Sequence, residues 1–228
     1  MLKDDEERYN SSVQTRYRER ERTMNTLEAI RTRRSTRAYS EKAPSREQIE
    51  TVINAGRYAP SGGNSQTTHF IVITKKSVLS ELADLVRTEF AKMEDDPDLY
   101  VSIRHSIQSS RNGDYVFHYH APVFIVTANQ KGYGNAMADS ACALENMMLA
   151  ANELNLGSCW INQLHWLDDH AALRNYLKPY GLEETETITG GLILGYPAQG
   201  QPDREPLKRT GNPVTWVEEG GREDAGDR

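Results

Sequence analysis

Hydrophobic positions along the chain fall into short periodic groups separated by Gly, Pro and small polar residues, and each group predicts one element. A charged stretch over 1–23 carries only Leu2, Val13 and two tyrosines as larger apolar groups. Behind it, Thr26 is the expected cap of a short helix with Leu27 and Ile30 that runs up to a basic cluster at Arg33. Ser45 and Gln48 spell a capping box, and Ile49, Val52, Ile53 and Gly56 repeat at helical spacing until Pro60 stops them. Ser77 is the expected cap of a helix with Leu79, Leu82, Leu85, Val86 and Phe90 on one face, ending near Asp95. Asp139 is expected to open the most apolar helix, through Leu144, Met147, Met148, Ala151 and Leu154, with Gly157 as its left-handed cap. Asp168 is the expected cap of a last helix through Leu173 and Leu177, closed by Pro179 and Gly181. Strand-like runs occupy 70–74, 123–128, 158–162 and 185–194. The stretch 96–120 holds Pro97, Gly113, His105, His118, His120 and several aromatics without a steady period, and reads as a lid or an inserted excursion.

These elements fit one domain over 24–217 with a real core, flanked by the 1–23 arm and an acidic, glycine-rich tail over 218–228. Composition agrees: 37% of residues are hydrophobic and 26% charged, and mean hydropathy is −0.70. No apolar run approaches the about 20 residues of a membrane span and the N-terminus is charged rather than apolar, so the expectation is a soluble cytoplasmic protein with no membrane partner. A net charge of −6 argues against nucleic acid, whose phosphate backbone calls for a broad positive surface. Cys142 and Cys159 sit in apolar segments without metal-ligand spacing and read as reduced core thiols. His118 and His120 would share one side of a strand, but no third ligand stands nearby, so no metal is expected.

Against that acidic background the run Arg33-Arg34-Ser35-Thr36-Arg37 is a local exception. Arginine presents a fork of N–H donors that matches phosphate oxygens two at a time, so the cluster is a candidate anion seat; taken alone, it equally suits a solvated basic turn. The loop Pro60-Ser61-Gly62-Gly63-Asn64-Ser65-Gln66 offers two glycines for close backbone approach and two amides for hydrogen bonding, and alone also suits a surface turn. A second basic cluster follows Gly195-Tyr196-Pro197, beginning at Arg204.

Taken in order, R-R-S-x-R, A-P-S-x-x-N-x-Q before a strand, the A-L-x-N-M-M-L-A-A helix with its G-S-C-W-I strand, and G-Y-P followed by R-x-P-L resemble the FMN-dependent nitroreductase family, from Arg33 to Leu207. The resemblance implies an α+β fold with a central, mostly antiparallel sheet flanked by helices and a C-terminal segment exchanged across a homodimer. It implies that Arg33, Arg34 and Ser35 hold the FMN phosphate with Arg204, and that Arg37 reaches the ribityl chain and the N1/O2 edge of the flavin. Pro60, Ser61, Gly62, Asn64 and Gln66 match the loop that packs on the flavin of the other subunit. Trp160, Ile161, Asn162 and Gln163 match the strand end near flavin N5. Two departures stand out: Thr67-Thr68 where many members have Pro-Trp, and Glu205 where a second basic residue is usual.

The implied activity is hydride transfer from NADH or NADPH through FMN to a nitroaromatic, quinone or similar small acceptor. The flavin carries such chemistry, so no Ser-His-Asp set or carboxylate pair is required, and none is evident. Dehalogenation or dehydrogenation on a dedicated substrate, and a flavin-binding module without turnover, are the alternatives. No dinucleotide fingerprint indicates which nicotinamide is preferred.

Overall fold

Four strands form one sheet in the order β1-β2-β4-β3, with every neighbouring pair antiparallel: β1 (His69–Ile73), β2 (Val123–Gln130), β3 (Gly157–Ile161) and β4 (Glu186–Gly195). The computed structural model describes residues 25–200 and 204–217; the expectations for the 1–23 arm and the 218–228 tail lie outside the described residues.

Alternation along the strands builds a core on each side of the sheet. One face buries Val123 and Ile125 of β2 with Leu192 and Leu194 of β4 under α2 (Arg46–Arg57) and α5 (Ala136–Glu153), whose Ile49, Val52, Leu144, Met147 and Ala151 fill the layer. The other face buries Ile71, Ile73, Phe124, Val126, Cys159, Ile161 and Ile193. Over it lie α3 (Lys76–Lys92), α4 (Val101–Asn112), α6 (Gln163–Trp166) and α7 (Ala171–Leu177), which contribute Leu82, Phe90, Ile107, Leu164 and Leu173. The short α1 (Thr26–Thr32) runs into the basic cluster. This is the α+β architecture that the sequence predicts. Among the described residues no helix is long and apolar enough to cross a membrane.

The capping box of α2 forms as expected: Ser45 Oγ accepts from Gln48 N, and Gln48 Oε1 accepts from Ser45 N. Four other expected caps do not form, because the side chains are used elsewhere or the helix begins sooner. Asn25, not Thr26, caps α1, its Oδ1 accepting from Glu28 N at 2.9 Å. Ser77 lies inside α3, which starts as soon as the chain has turned at Lys75. α5 begins at Ala136, ahead of Asp139, whose carboxylate accepts instead from Gly62 N of another loop. Asp168 takes Arg174 Nη1 and Thr187 Oγ1, each at 2.6 Å, and α7 starts behind His170. Asn155, not Gly157, makes the left-handed turn after α5, with φ 56°. The middle of the stretch 96–120 is the helix α4, with irregular chain on both sides of it. α4 hides its period because Ser106 and Ser110, not apolar residues, share the buried face with Ile107. Cys142 lies on the exposed side of α5, whereas Cys159 is buried as expected.

Candidate active site

β3 is one of the two outer strands of the sheet, and the basic run docks on its free edge through a parallel bridge between Ser35 and Ser158. Thr36 N donates to Ser158 O at 2.9 Å, and the Thr36 side chain is buried against Gly157. A Cβ on Gly157 would stand 2.7 Å from Thr36 Cγ2, so glycine is what lets the run come so close. With Thr36 turned inward, extended geometry sends Arg33, Ser35 and Arg37 to the other side. All three act on one thiol: burial pushes Cys159 up, and Arg37, the Ser35 hydroxyl and Arg33 oppose it. Arg34 turns back on the helix end, donating Nη1 to Arg31 O at 3.1 Å and Arg33 O at 2.8 Å. Among the described residues its Nη2 is buried without a hydrogen-bond partner, an arrangement that costs about 1–3 kcal/mol and that an anionic oxygen would relieve. The donors present therefore fit a phosphate.

Arg37 opens into a cleft of about 420 Å³ whose floor is Cys159 through Gln163 and whose opposite wall is Tyr100, Tyr115, Tyr119 and Trp166. Tyr100, Tyr115 and Tyr119 come from the 96–120 stretch that the sequence reads as a lid or an inserted excursion, although it singles out none of them, nor Trp166, as a site residue. Tyr119 and His120 are consecutive left-handed residues, φ 51° and 58°, held by Tyr119 N to Val116 O and Ala121 N to His118 O. Such backbone costs of order 1 kcal/mol or more per residue, and here it lies where Tyr119 meets the cleft. A chain of donors links floor to wall. Gln163 Nε2 donates to Tyr115 Oη at 2.8 Å, Tyr115 is 2.8 Å from Ser106 Oγ, and Ser106 donates to Ser102 O at 3.0 Å. Ser106 spends its hydrogen on Ser102, so Tyr115 donates to Ser106, and burial raises the pKa of the phenol. Trp160 Nε1 donates to Asn162 Oδ1 at 2.6 Å, fixing the far end of the floor.

The Pro60–Gln66 loop stands elsewhere. Pro60, Ser61 and Gln66 line a second pocket of about 140 Å³ with Asp139 and Phe70, and the two pockets share no lining residue. Gly63, Asn64 and Gln66 are left-handed, with φ 60°, 55° and 52°. The Thr67-Thr68 departure is accommodated by hydrogen bonds: Thr67 Oγ1 lies 3.4 Å from Ser65 Oγ, and buried Asn129 donates Nδ2 to Thr68 Oγ1 at 3.3 Å.

Arg204 is half-buried, and its guanidinium caps α5: Nη1 donates to Asn152 O at 3.1 Å and to Asn152 Oδ1, and Nη2 to Leu156 O at 3.0 Å. Asn152 Nδ2 in turn donates to Ala29 O and Thr32 Oγ1, so one buried amide ties Arg204 to the helix that ends at Arg33. Residues 204–217 form no helix or strand, and Leu207, Val214, Trp216 and Val217 are exposed; Glu205 is exposed beside them. Asn152 escaped the sequence reading and Asp139 was read there only as a helix cap; the signal of both was a polar residue on the buried stripe of an apolar helix. Among the described residues no group of three His, Cys, Asp or Glu side chains is placed to hold a metal.

Residues 30–196 match the model of the Nitroreductase family. This chain belongs to that family. A nitroreductase with bound FMN from Bacteroides fragilis is 36% identical and superimposes with a TM-score of 0.77, over 86% of this chain and 100% of its own. A second nitroreductase with bound FMN, from Desulfitobacterium hafniense, is 25% identical with a TM-score of 0.72 over the same shares. A protein of Archaeoglobus fulgidus with the provisional name NADH dehydrogenase/NAD(P)H nitroreductase is 31% identical over 175 residues, 75% of this chain and 84% of its own. As a nitroreductase-family member, this chain has the family's sheet and helices, and its basic run, cleft and glycine-containing loop sit on that frame.

Proposed function

We propose that this chain is an FMN-dependent oxidoreductase that passes a hydride equivalent from NADH or NADPH to a nitroaromatic, a quinone or a similar small acceptor. One observation carries the reading: Arg33, Ser35 and Arg37 stand together on the outer edge of β3, and Arg37 opens into a cleft floored by residues 159–163. The names of the relatives, which include NAD(P)H nitroreductases, and the FMN in two similar structures support it. The chemistry FMN supplies when bound is two-electron transfer through its ring N5.

The protein's own groups bind and orient. Arg33, Arg34 and Ser35 neutralise and hydrogen-bond the phosphate, and Arg204 adds charge from the end of α5. Arg37 favours negative charge at the pyrimidine edge of the ring, which raises its readiness to take electrons. Backbone along Trp160, Ile161, Asn162 and Gln163 meets the ring. Tyr100, Tyr119 and Trp166 offer aromatic faces to a flat substrate. Pro60, Ser61, Gly62, Asn64 and Gln66 complete the cleft of a second copy, which is why they do not line the cleft of their own chain. The exposed apolar side chains of residues 204–217 cover that second copy in a homodimer. With a quinone, NAD(P)H and one proton are consumed, and NAD(P)+ and the hydroquinone are formed.

The test is steady-state turnover of nitroaromatics and quinones with NADH and with NADPH. Rates well above those of free FMN at equal concentration are expected; rates at the free-flavin background for every acceptor would reject the assignment.

A further inference from the structure

α5 carries a charge where its apolar face continues. Asp139 is 6% exposed, one turn ahead of buried Ala143 and two ahead of Met147. Burying a carboxylate costs several kcal/mol unless donors fill its lone pairs. Here they come from one loop and its neighbour: Gly62 N at 3.1 and 3.3 Å to the two oxygens, Ser65 Oγ at 3.4 Å and Tyr133 Oη at 2.9 Å. Tyr133 Oη also lies 3.1 Å from Gly62 O and 3.2 Å from Ser65 Oγ. A Cβ on Gly62 would stand 2.2 Å from Asn135 Nδ2 and 2.6 Å from Tyr133 Oη, so the loop is pressed onto the start of α5.

Within the loop, Gln66 N donates to Ser61 Oγ at 3.1 Å, while Asn64 and Gln66 both hold left-handed backbone. That backbone is uphill by of order 1 kcal/mol for each side-chain-bearing residue. The contacts with Asp139 and Tyr133 offset it. They lie on the inner side of the loop and leave Gly63, Asn64 and Gln66 exposed. A loop with its backbone fixed from below and its amide side chains free above is organised in advance for a partner.

We propose that Asp139, with Tyr133, is a positioning residue for FMN: it acts through Gly62 N and Ser65 Oγ to fix the Ser61–Gln66 loop in the form that meets the flavin. This rests on the flavin reading above. Asp139 itself does not touch the cofactor. Asparagine at 139 keeps an oxygen for Gly62 N–H and places an amide donor toward Tyr133 Oη, whereas alanine keeps neither.

The experiment is FMN titration of the flavin-free protein by fluorescence quenching, with the absorption spectrum of the bound flavin, for wild type, D139N, D139A and Y133F. D139A is expected to bind FMN about tenfold or more weakly and to alter the shape of the visible band, at unchanged far-UV circular dichroism. D139N is expected to stay within about threefold of wild type, and Y133F to fall between the two. A purely structural role would lower melting temperatures without moving the flavin spectrum. If wild type binds FMN and folded D139A binds it equally well with the same spectrum, the positioning role is overturned; should D139A not fold, an unchanged affinity and spectrum in Y133F overturns it. Wild type that does not bind FMN overturns the flavin reading instead, before any variant is compared.

Discussion

Thr36 donates its backbone N–H to Ser158 O at 2.9 Å, and this bond places a five-residue basic run against an outer strand of the sheet. Its register decides which side chains face the cleft. Shifted by one residue, Arg34, Thr36 and Ala38 would stand where Arg33, Ser35 and Arg37 now stand.

Gly157→Ala tests that docking. The added methyl meets Thr36 at 2.7 Å, and the run must move away from β3. A loss of about 1–3 kcal/mol in urea-unfolding stability is expected, together with weaker FMN binding. Unchanged stability would mean that the run is held by something other than its contact with β3.

Arg33→Ala and Arg37→Ala test the anion seat. Arg37 is exposed, so stability should change by no more than about 0.5 kcal/mol. Loss of a charge-assisted contact to a bound anion is worth about 1.5–3 kcal/mol, so each variant should bind FMN about tenfold or more weakly. Full flavin occupancy in purified Arg33→Ala would contradict the phosphate assignment.

Arg204→Ala separates two uses of one guanidinium. Its nitrogens satisfy Asn152 and Leu156 at the end of α5, so removing them should cost about 1–3 kcal/mol of stability, read by denaturant midpoint. A loss of FMN affinity with no loss of stability would show that the anion, not the helix end, is its main partner.

Much of this architecture was legible before any coordinates. The capping box at Ser45, the strand runs and the apolar face of α5 follow from side-chain periodicity, which local sequence determines. What was not legible depends on contacts distant in sequence. Asp139 looks like a helix cap until Gly62, far upstream, draws its carboxylate away, and Asp168 is diverted in the same manner by Arg174 and Thr187. The helix Val101–Asn112 hides because serines occupy its buried face, and Ser106 is satisfied there by Ser102 O one turn back and by Tyr115 from outside the helix. The candidate site was legible as motifs, but no sequence pattern shows that the 160–163 floor and the 60–66 loop line different pockets.

Tyr115→Phe breaks the chain from Gln163 to Ser106. Gln163 loses the acceptor that orients its amide on the cleft floor, and kcat/KM for the acceptor should fall about three- to tenfold, roughly the worth of one hydrogen bond. FMN affinity should hold. An unaltered kcat/KM would remove Gln163 orientation from the account.

His118 gives the protein an acid sensitivity. It is 6% exposed, and burial, reinforced by His120, lowers its pKa from 6.5 to about 4. The unfolded chain takes up the proton first as pH falls, so the native state loses stability from about pH 6.5 down to about 4, by of order 3 kcal/mol in total. Above pH 6.5 the contribution is flat. Urea midpoints of wild type and His118→Gln across this range should converge as pH falls; parallel curves would place the sensitivity elsewhere.

The most direct test of the central claim is the visible absorption spectrum of the purified protein under anaerobic conditions, before and after addition of NADH or NADPH. The account predicts a flavin band near about 450 nm that is bleached by one or both nicotinamides and returns when a nitroaromatic or quinone is added. A colourless protein that FMN cannot reconstitute, or a bound flavin that neither nicotinamide reduces, would contradict it.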